Sequence, residues 1–168
     1  YYENTGTAAA PNFASAQGNP FSLSVPLSVI SPTFADIDND GDLDMLAGEY
    51  FSQGFLYYEN IGTASSPSFW TAQQNPFSLS YGHDRCSPTF ADLDNDGDLD
   101  LLYGEDNGDL LYCENLGTVA APVFGAVQLH PFGLTPILDD FTTPCFVDLD
   151  NDGDFDVMSG IRAANRNP

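Results

Sequence analysis

Fifteen of the chain's 25 acidic residues fall into three clusters of five aspartates that share one spacing, D-x-D-N-D-G-D-x-D. The clusters are Asp36, Asp38, Asp40, Asp42 and Asp44; then Asp92, Asp94, Asp96, Asp98 and Asp100; then Asp148, Asp150, Asp152, Asp154 and Asp156. The chemistry this pattern suits is calcium binding, because calcium takes about six to eight oxygen ligands at about 2.3–2.6 Å in a flexible shell. Carboxylates at loop positions 1, 3 and 5 converge on one point, and the glycine at position 6 (Gly41, Gly97, Gly153) permits the turn that brings position 7 around. Position 7 then offers its backbone carbonyl, with its own side chain facing solvent, and position 9 adds a further carboxylate. Five aspartates in nine residues repel one another strongly unless a cation sits among them. The expectation is one Ca2+ per loop, three in all, held by these fifteen residues. Magnesium fits less well because it demands tight octahedral geometry and keeps its waters. Zinc prefers cysteine or histidine, and none stands in these loops. The loops are not EF-hands: position 12 holds Ala47, Tyr103 and Ser159 rather than glutamate, and no helical pattern flanks them.

The elements that position these loops repeat with them. The acidic loops at 36–44, 92–100 and 148–156 start 56 residues apart. Glu3-Asn4, Glu59-Asn60 and Glu114-Asn115 are each followed by x-Gly-Thr, and Asn19-Pro20-Phe21, Asn75-Pro76-Phe77 and His130-Pro131-Phe132 align behind them. The chain is one repeat array over residues 1–168 rather than a set of unrelated domains. Prolines recur every few residues and no helical periodicity is sustained, so the units read as all-β. In the second unit, strands are expected at 88–91, 99–103 and 110–114 and around 123–126, with a hairpin turn through Asn107-Gly108. Four antiparallel strands in a unit of about 56 residues match one blade of a β-propeller. The prediction is three such blades, as a partial propeller or part of a larger assembly.

Charge narrows the partners. The net charge is −22, with three arginines and no lysine, which disfavours nucleic acid and anionic membrane surfaces. No run of about 18 apolar residues exists, so no membrane insertion is expected. The first residues show no signal-peptide pattern. Cys86, Cys113 and Cys145 share no metal-binding spacing and read as independent small residues on strands, one disulfide remaining open in an oxidising compartment.

A strand carrying Phe-Ala-Asp-x-Asp-Asn-Asp-Gly-Asp-x-Asp, an apolar strand ending in glycine, and then Tyr-x-Glu-Asn-x-Gly resembles the FG-GAP/VCBS-type repeat. Such repeats build the calcium-binding blades of integrin-α-like β-propellers. The resemblance covers essentially the whole chain. It implies an extracellular or cell-surface protein acting in adhesion, carbohydrate recognition or a large surface assembly, and it carries the same fifteen aspartates over as ligands. Closed propellers have about four to eight blades, whereas this chain holds three and begins and ends mid-blade. Tyr1 falls where the third strand missing from the last unit would begin. Three arrangements fit: a piece of a longer protein, which is favoured; a six-bladed ring with a second copy; or an open array of subunits.

Candidates for chemistry beyond calcium are few. His83 stands in the varied stretch from Tyr81 to Arg85 and reads as part of a polar surface loop. His130 replaces Asn75 before a Pro-Phe pair and reads as a turn residue. Tyr57, Tyr58, Tyr103 and Tyr112 suit packing between blades, while Trp70, found in one unit alone, suits an exposed contact. No catalytic constellation is convincing. The leading function is a calcium-binding module that recognises a glycan or a protein. The alternative is a structural subunit of a calcium-stabilised surface layer or filament that self-associates or takes further blades. A polysaccharide-degrading enzyme scaffold is a distant third.

Overall fold

The computed structural model describes residues 1–25, 30–50, 54–79, 85–136 and 141–161. Over these residues the chain is all-β apart from one short 3-10 turn at Pro131–Gly133. The strands form three antiparallel sheets. The first runs in the order β1 (Ile30–Ala35), β2 (Asp44–Glu49), β3 (Gly54–Tyr58) and β4 (Gln73–Gln74). The second repeats that order with β5 (Ser87–Ala91), β6 (Asp100–Gly104), β7 (Leu110–Cys113) and β8 (Gln128–Leu129). The third pairs β9 (Thr142–Val147) with β10 (Asp156–Ile161). Two repeats therefore have the four expected strands, while the third has two among the described residues, and no sheet there closes the row into a ring.

Register repeats with sequence. Met45 opposes Tyr58 in the first unit and Leu101 opposes Cys113 in the second. The fourth strand differs from expectation: it lies at Gln128–Leu129, not around 123–126. The earlier backbone donors are used elsewhere. The Val123 N–H goes to the Asn115 side chain at 3.0 Å, and the Phe124 N–H goes to the Phe77 carbonyl at 3.0 Å. Phe124 meets Asn115 only in an isolated bridge, and a continuous ladder starts four residues later.

Strand β3 is buried on both faces, as a strand between two layers must be. Phe55 and Tyr57 join a cluster with Leu101, Tyr103 and Leu111 of the next unit, whereas Leu56 and Tyr58 face a separate cluster with Met45 and Phe69. Phe55 meets Tyr103 edge to face at 5.1 Å, a favoured aromatic geometry. The first strands of successive units are neighbours, β5 packing against both β1 and β9. Ser31 and Ser87, which hold equivalent repeat positions, share a hydrogen bond of 3.0 Å across that boundary. The tyrosines expected to pack between units are all buried, and Trp70 is 56% exposed. No disulfide joins the three cysteines: Cys86 and Cys113 are buried and Cys145 is exposed.

Two backbone features set the spacing of the units. The Asn-Pro-Phe landmark is a loop in left-handed conformation, with φ of 48° and 56° at Asn19 and Phe21 and the same values at Asn75 and Phe77. Non-glycine residues rarely hold this region, at a cost of roughly 1 kcal/mol each. Packing offsets it: Phe77 sits between Tyr57 of its own unit and Phe124 of the next, at 4.8 and 6.3 Å. His130 takes the Asn75 role with φ 48°, and its Nε2 lies 2.9 Å from Asp109, so it is a turn residue as expected. The second feature is Gly48 on β2, where an added Cβ would overlap the Cys86 carbonyl. Gly104 stands in the same relation to Thr142. Because the obstacle is neighbouring backbone, Gly48→Ala is expected to cost about 1–3 kcal/mol by overpacking, read as a lower urea midpoint with unchanged slope.

Candidate metal centre

Each acidic loop connects the first strand of a unit to the second and is built by its own carboxylates. In the first loop the two Asp36 oxygens accept the N–H groups of Asp40 and Gly41 at 3.0 and 3.1 Å, and Asp40 accepts that of Asp42 at 3.0 Å. The second loop repeats this with Asp92 and Asp96, at 3.0 to 3.1 Å. The third keeps the Gly153-to-Asp148 and Asp154-to-Asp152 bonds, each 3.2 Å. Asn39, Asn95 and Asn151 hold φ near +60° and the following glycines near +97°, which reverses the chain twice within a few residues. Asparagine tolerates the left-handed region better than other side chains. Its presence at position 4 of every loop was the sequence signal for that turn.

The result is convergence. Asp36, Asp38 and Asp40 each bring one carboxylate oxygen within 4.8 Å of the others, and so do Asp92, Asp94 and Asp96, and Asp148, Asp150 and Asp152. Oxygens bound to one calcium at about 2.4 Å lie no more than about 4.8 Å apart, so positions 1, 3 and 5 fit the ion. Buried oxygens without a partner sit beside these groups: Oδ1 of Asp38 and Asp42 in the first loop and Oδ1 of Asp98 in the second. A buried carboxylate oxygen lacking both water and a donor is costly, and a cation is the partner that such an oxygen suits.

Position 7 departs from expectation in two of the three loops. The Asp42 and Asp98 side chains do not face solvent; they are only 8% and 7% exposed, and Asp154 alone is exposed as expected. The loop folds back onto the Glu-Asn turn, which brings Asn60 and Asn115 beside these two carboxylates. Burial, followed by the charges of Asp40 and Asp38, pushes the Asp42 carboxyl above its ordinary value.

Position 9 ties the loop to the sheet. Asp44 is 1% exposed, and its oxygens accept the Asn60 N–H at 2.8 Å, the Tyr57 hydroxyl at 3.0 Å and the Ile37 N–H at 3.3 Å. Asp100 repeats this with Asn115 at 2.8 Å, Leu93 at 3.2 Å and the hydroxyl of Tyr112. Burial pushes Asp44 up to about 6 against the pull of those donors. Position 9 thus lies outside the converging trio and is committed to protein donors. The sequence pattern alone does not show this second role. The signal available was the Tyr and Asn of the recurring Tyr-x-Glu-Asn segment, which are the donors that Asp44 and Asp100 receive.

Residues 92–159 match a family described as FG-GAP-like repeat. This stretch runs from the second acidic loop through β6, β7 and β8 to the third loop and into β10. The first acidic loop, outside the matched stretch, has the same sequence pattern and the same internal bonds as the second loop within it. No curated protein and no solved structure matched the chain.

The remaining candidates add no second cluster. His83 and its neighbours Tyr81, Gly82 and Asp84 lie outside the described residues. Arg85, at the edge of that stretch, stacks its guanidinium 4.0 Å over the Tyr50 ring. Among the described residues no helix is long and apolar enough to cross a membrane.

Proposed function

We propose that the chain is a calcium-binding propeller-type module of the extracellular or cell-surface kind. Each acidic loop takes one Ca2+, with positions 1, 3 and 5 as the side-chain ligands and position 7 contributing beside them. The observation that carries this reading is the threefold recurrence of three converging carboxylates, joined in the first two loops by buried, unpartnered aspartate oxygens. A pure anion repeller would leave such oxygens in water. Recognition of a glycan or protein then falls to exposed side chains on the frame that calcium holds, with Trp70 the leading candidate. The scaffold is read as a binding module rather than an enzyme.

Metal counting tests this. Titration calorimetry with the ion content of the dialysed protein should give three calcium ions per chain, with Kd values between about 10⁻⁶ and 10⁻³ M. Asp92→Ala should remove one ion and leave two, because its loop shares no carboxylate with the others. Loss of all three ions in that variant, or no calcium uptake by the unaltered chain, would sink the reading.

A further inference from the structure

The hairpin turn between β6 and β7 carries a reactive pair that plays no part in the acidic loops. Asn107-Gly108 is the only place in the chain where asparagine precedes glycine. An asparagine loses its amide when the backbone nitrogen of the next residue attacks Cγ and closes a five-membered imide ring. Glycine hinders that attack least, because it has no Cβ.

The turn holds the reacting groups together. Asn107 is exposed, and its Oδ1 accepts the Asp109 N–H at 3.0 Å while its amide donates to Asp109 Oδ2 at 2.7 Å. A side chain bonded to the N–H two residues ahead is folded back along its own backbone, which keeps Cγ beside the Gly108 nitrogen. The same N–H points at the oxygen that gains negative charge as the nitrogen adds, the placement that stabilises an oxyanion. The Gly108 N–H reaches the Glu105 carbonyl at 3.4 Å, longer than the usual hydrogen bond, so the attacking nitrogen is lightly committed. Other asparagines are placed differently. Asn19 and Asn75 precede proline, whose nitrogen has no proton to lose. The N–H groups of Asp40 and Asp96, which follow Asn39 and Asn95, are bonded to carboxylates of their own loops at 3.0 and 3.1 Å. Asn60 and Asn115 are buried and precede the bulky Ile61 and Leu116.

The turn also joins two units. Both Asp109 oxygens are in use, Oδ2 with Asn107 and Oδ1 with His130 Nε2 at 2.9 Å. The Asp109 carbonyl accepts the Thr142 hydroxyl at 3.1 Å, and the Glu105 carbonyl accepts the Thr142 N–H at 3.1 Å. Thr142 is the first residue of β9 and is fully buried against this turn.

We propose that Asn107-Gly108 is a self-modifying turn, and that its conversion slackens the junction between the second and third units. The Gly108 nitrogen bonds to Asn107 Cγ and its proton passes to base in the solvent. The bond from Cγ to Nδ2 then breaks, and the amide takes up a proton and leaves as ammonia. Water opens the imide at Cγ to give aspartate, or at the Asn107 backbone carbonyl to give isoaspartate. One water enters and one ammonia leaves, with no oxidant or reductant. Either product sets a carboxylate against Asp109 where an amide had donated, and the two repel. Isoaspartate also adds one carbon to the main chain of a tight turn.

The test ages the whole chain in a mildly alkaline calcium buffer at physiological temperature and maps its peptides by mass spectrometry, beside a sample unfolded in urea. In the folded sample the Asn107 peptide should gain the mass of an amide exchanged for a hydroxyl, ahead of every other asparagine, and isoaspartyl methyltransferase should label it. Asn107→Gln, whose longer side chain would have to close a larger ring, should keep its amide through the same ageing. Asn107→Asp, measured fresh, should melt roughly 2–6 °C below the parent, the loss of one hydrogen bond in a chain of this size. An Asn107 peptide that stays intact in the folded chain while it converts in urea would overturn the proposal, because the turn would then protect the pair. Conversion spread evenly over the asparagines, or an Asn107→Asp variant that melts with the parent, would overturn it as well.

Discussion

Removing calcium is expected to lower the melting temperature of this chain by roughly 15–30 °C. A ligand that binds only the native state stabilises it by RT ln(1 + [L]/Kd), about 2.7 kcal/mol per site at 100-fold excess over Kd. Three independent sites then contribute roughly 8 kcal/mol, and at about 2–4 °C per kcal/mol for a chain of this size the shift follows. The repulsion is common to all three loops, and the first two add a burial cost. Without the ion, three carboxylates with oxygens within 4.8 Å of one another repel, and Oδ1 of Asp38, Asp42 and Asp98 stays buried without a partner. The check is a scanning melt in calcium and then in chelator. Magnesium at the same concentration should recover only a small part of the shift, since its tight octahedral shell suits these loops poorly. Equal melting temperatures in calcium and chelator would mean that the loops are acidic turns only.

Much of this was legible in the sequence because repetition turns a weak local signal into a strong one. One D-x-D-x-D-G run is an acidic turn or a metal loop; three at a 56-residue spacing, each between apolar strands, fix the loops and the strands beside them. The inward tyrosines were legible for a similar reason, since Tyr57 and Phe55 alternate with Leu56 and Tyr58 and all four prove buried. What escaped were positions decided by tertiary partners. The fourth strand slid to Gln128–Leu129 because the N–H groups of Val123 and Phe124 are taken by Asn115 and by the neighbouring unit. No local propensity records such a commitment. Asp42 and Asp98 look solvent-facing in a run of aspartates, yet the turn at Asn60 and Asn115 encloses them. The double role of the Tyr-x-Glu-Asn segment, as strand β3 or β7 and as the back wall of the acidic loop, emerges only when the sheet brings residues 44 and 60 together.

That back wall gives the second large expected effect. Asp44→Ala should destabilise the chain by about 3–5 kcal/mol even in chelator, where no metal contributes. Three donors lose their acceptor at once: the N–H groups of Ile37 and Asn60 and the Tyr57 hydroxyl, the last on a side chain only 3% exposed. Hydrogen bonds to a charged group are worth about 1.5–3 kcal/mol each, and a buried donor left without a partner costs about 1–3 kcal/mol. Against this stands the cost of burying the carboxylate itself, evident in its upward shift to about 6, which the alanine relieves and which keeps the total below the plain sum. Asp36→Ala is the informative contrast. Asp36 is only partly buried and bonds to two N–H groups of its own loop, so most of its effect should appear in calcium and little in chelator. Urea melts of the two variants in both conditions separate the roles. If Asp44→Ala is mild in chelator and severe only in calcium, position 9 acts as a metal ligand rather than as the tether between loop and sheet. If it is severe in both, the aspartate at position 9 is what couples the acidic loop to strand β3, and metal binding then acts on the sheet through it.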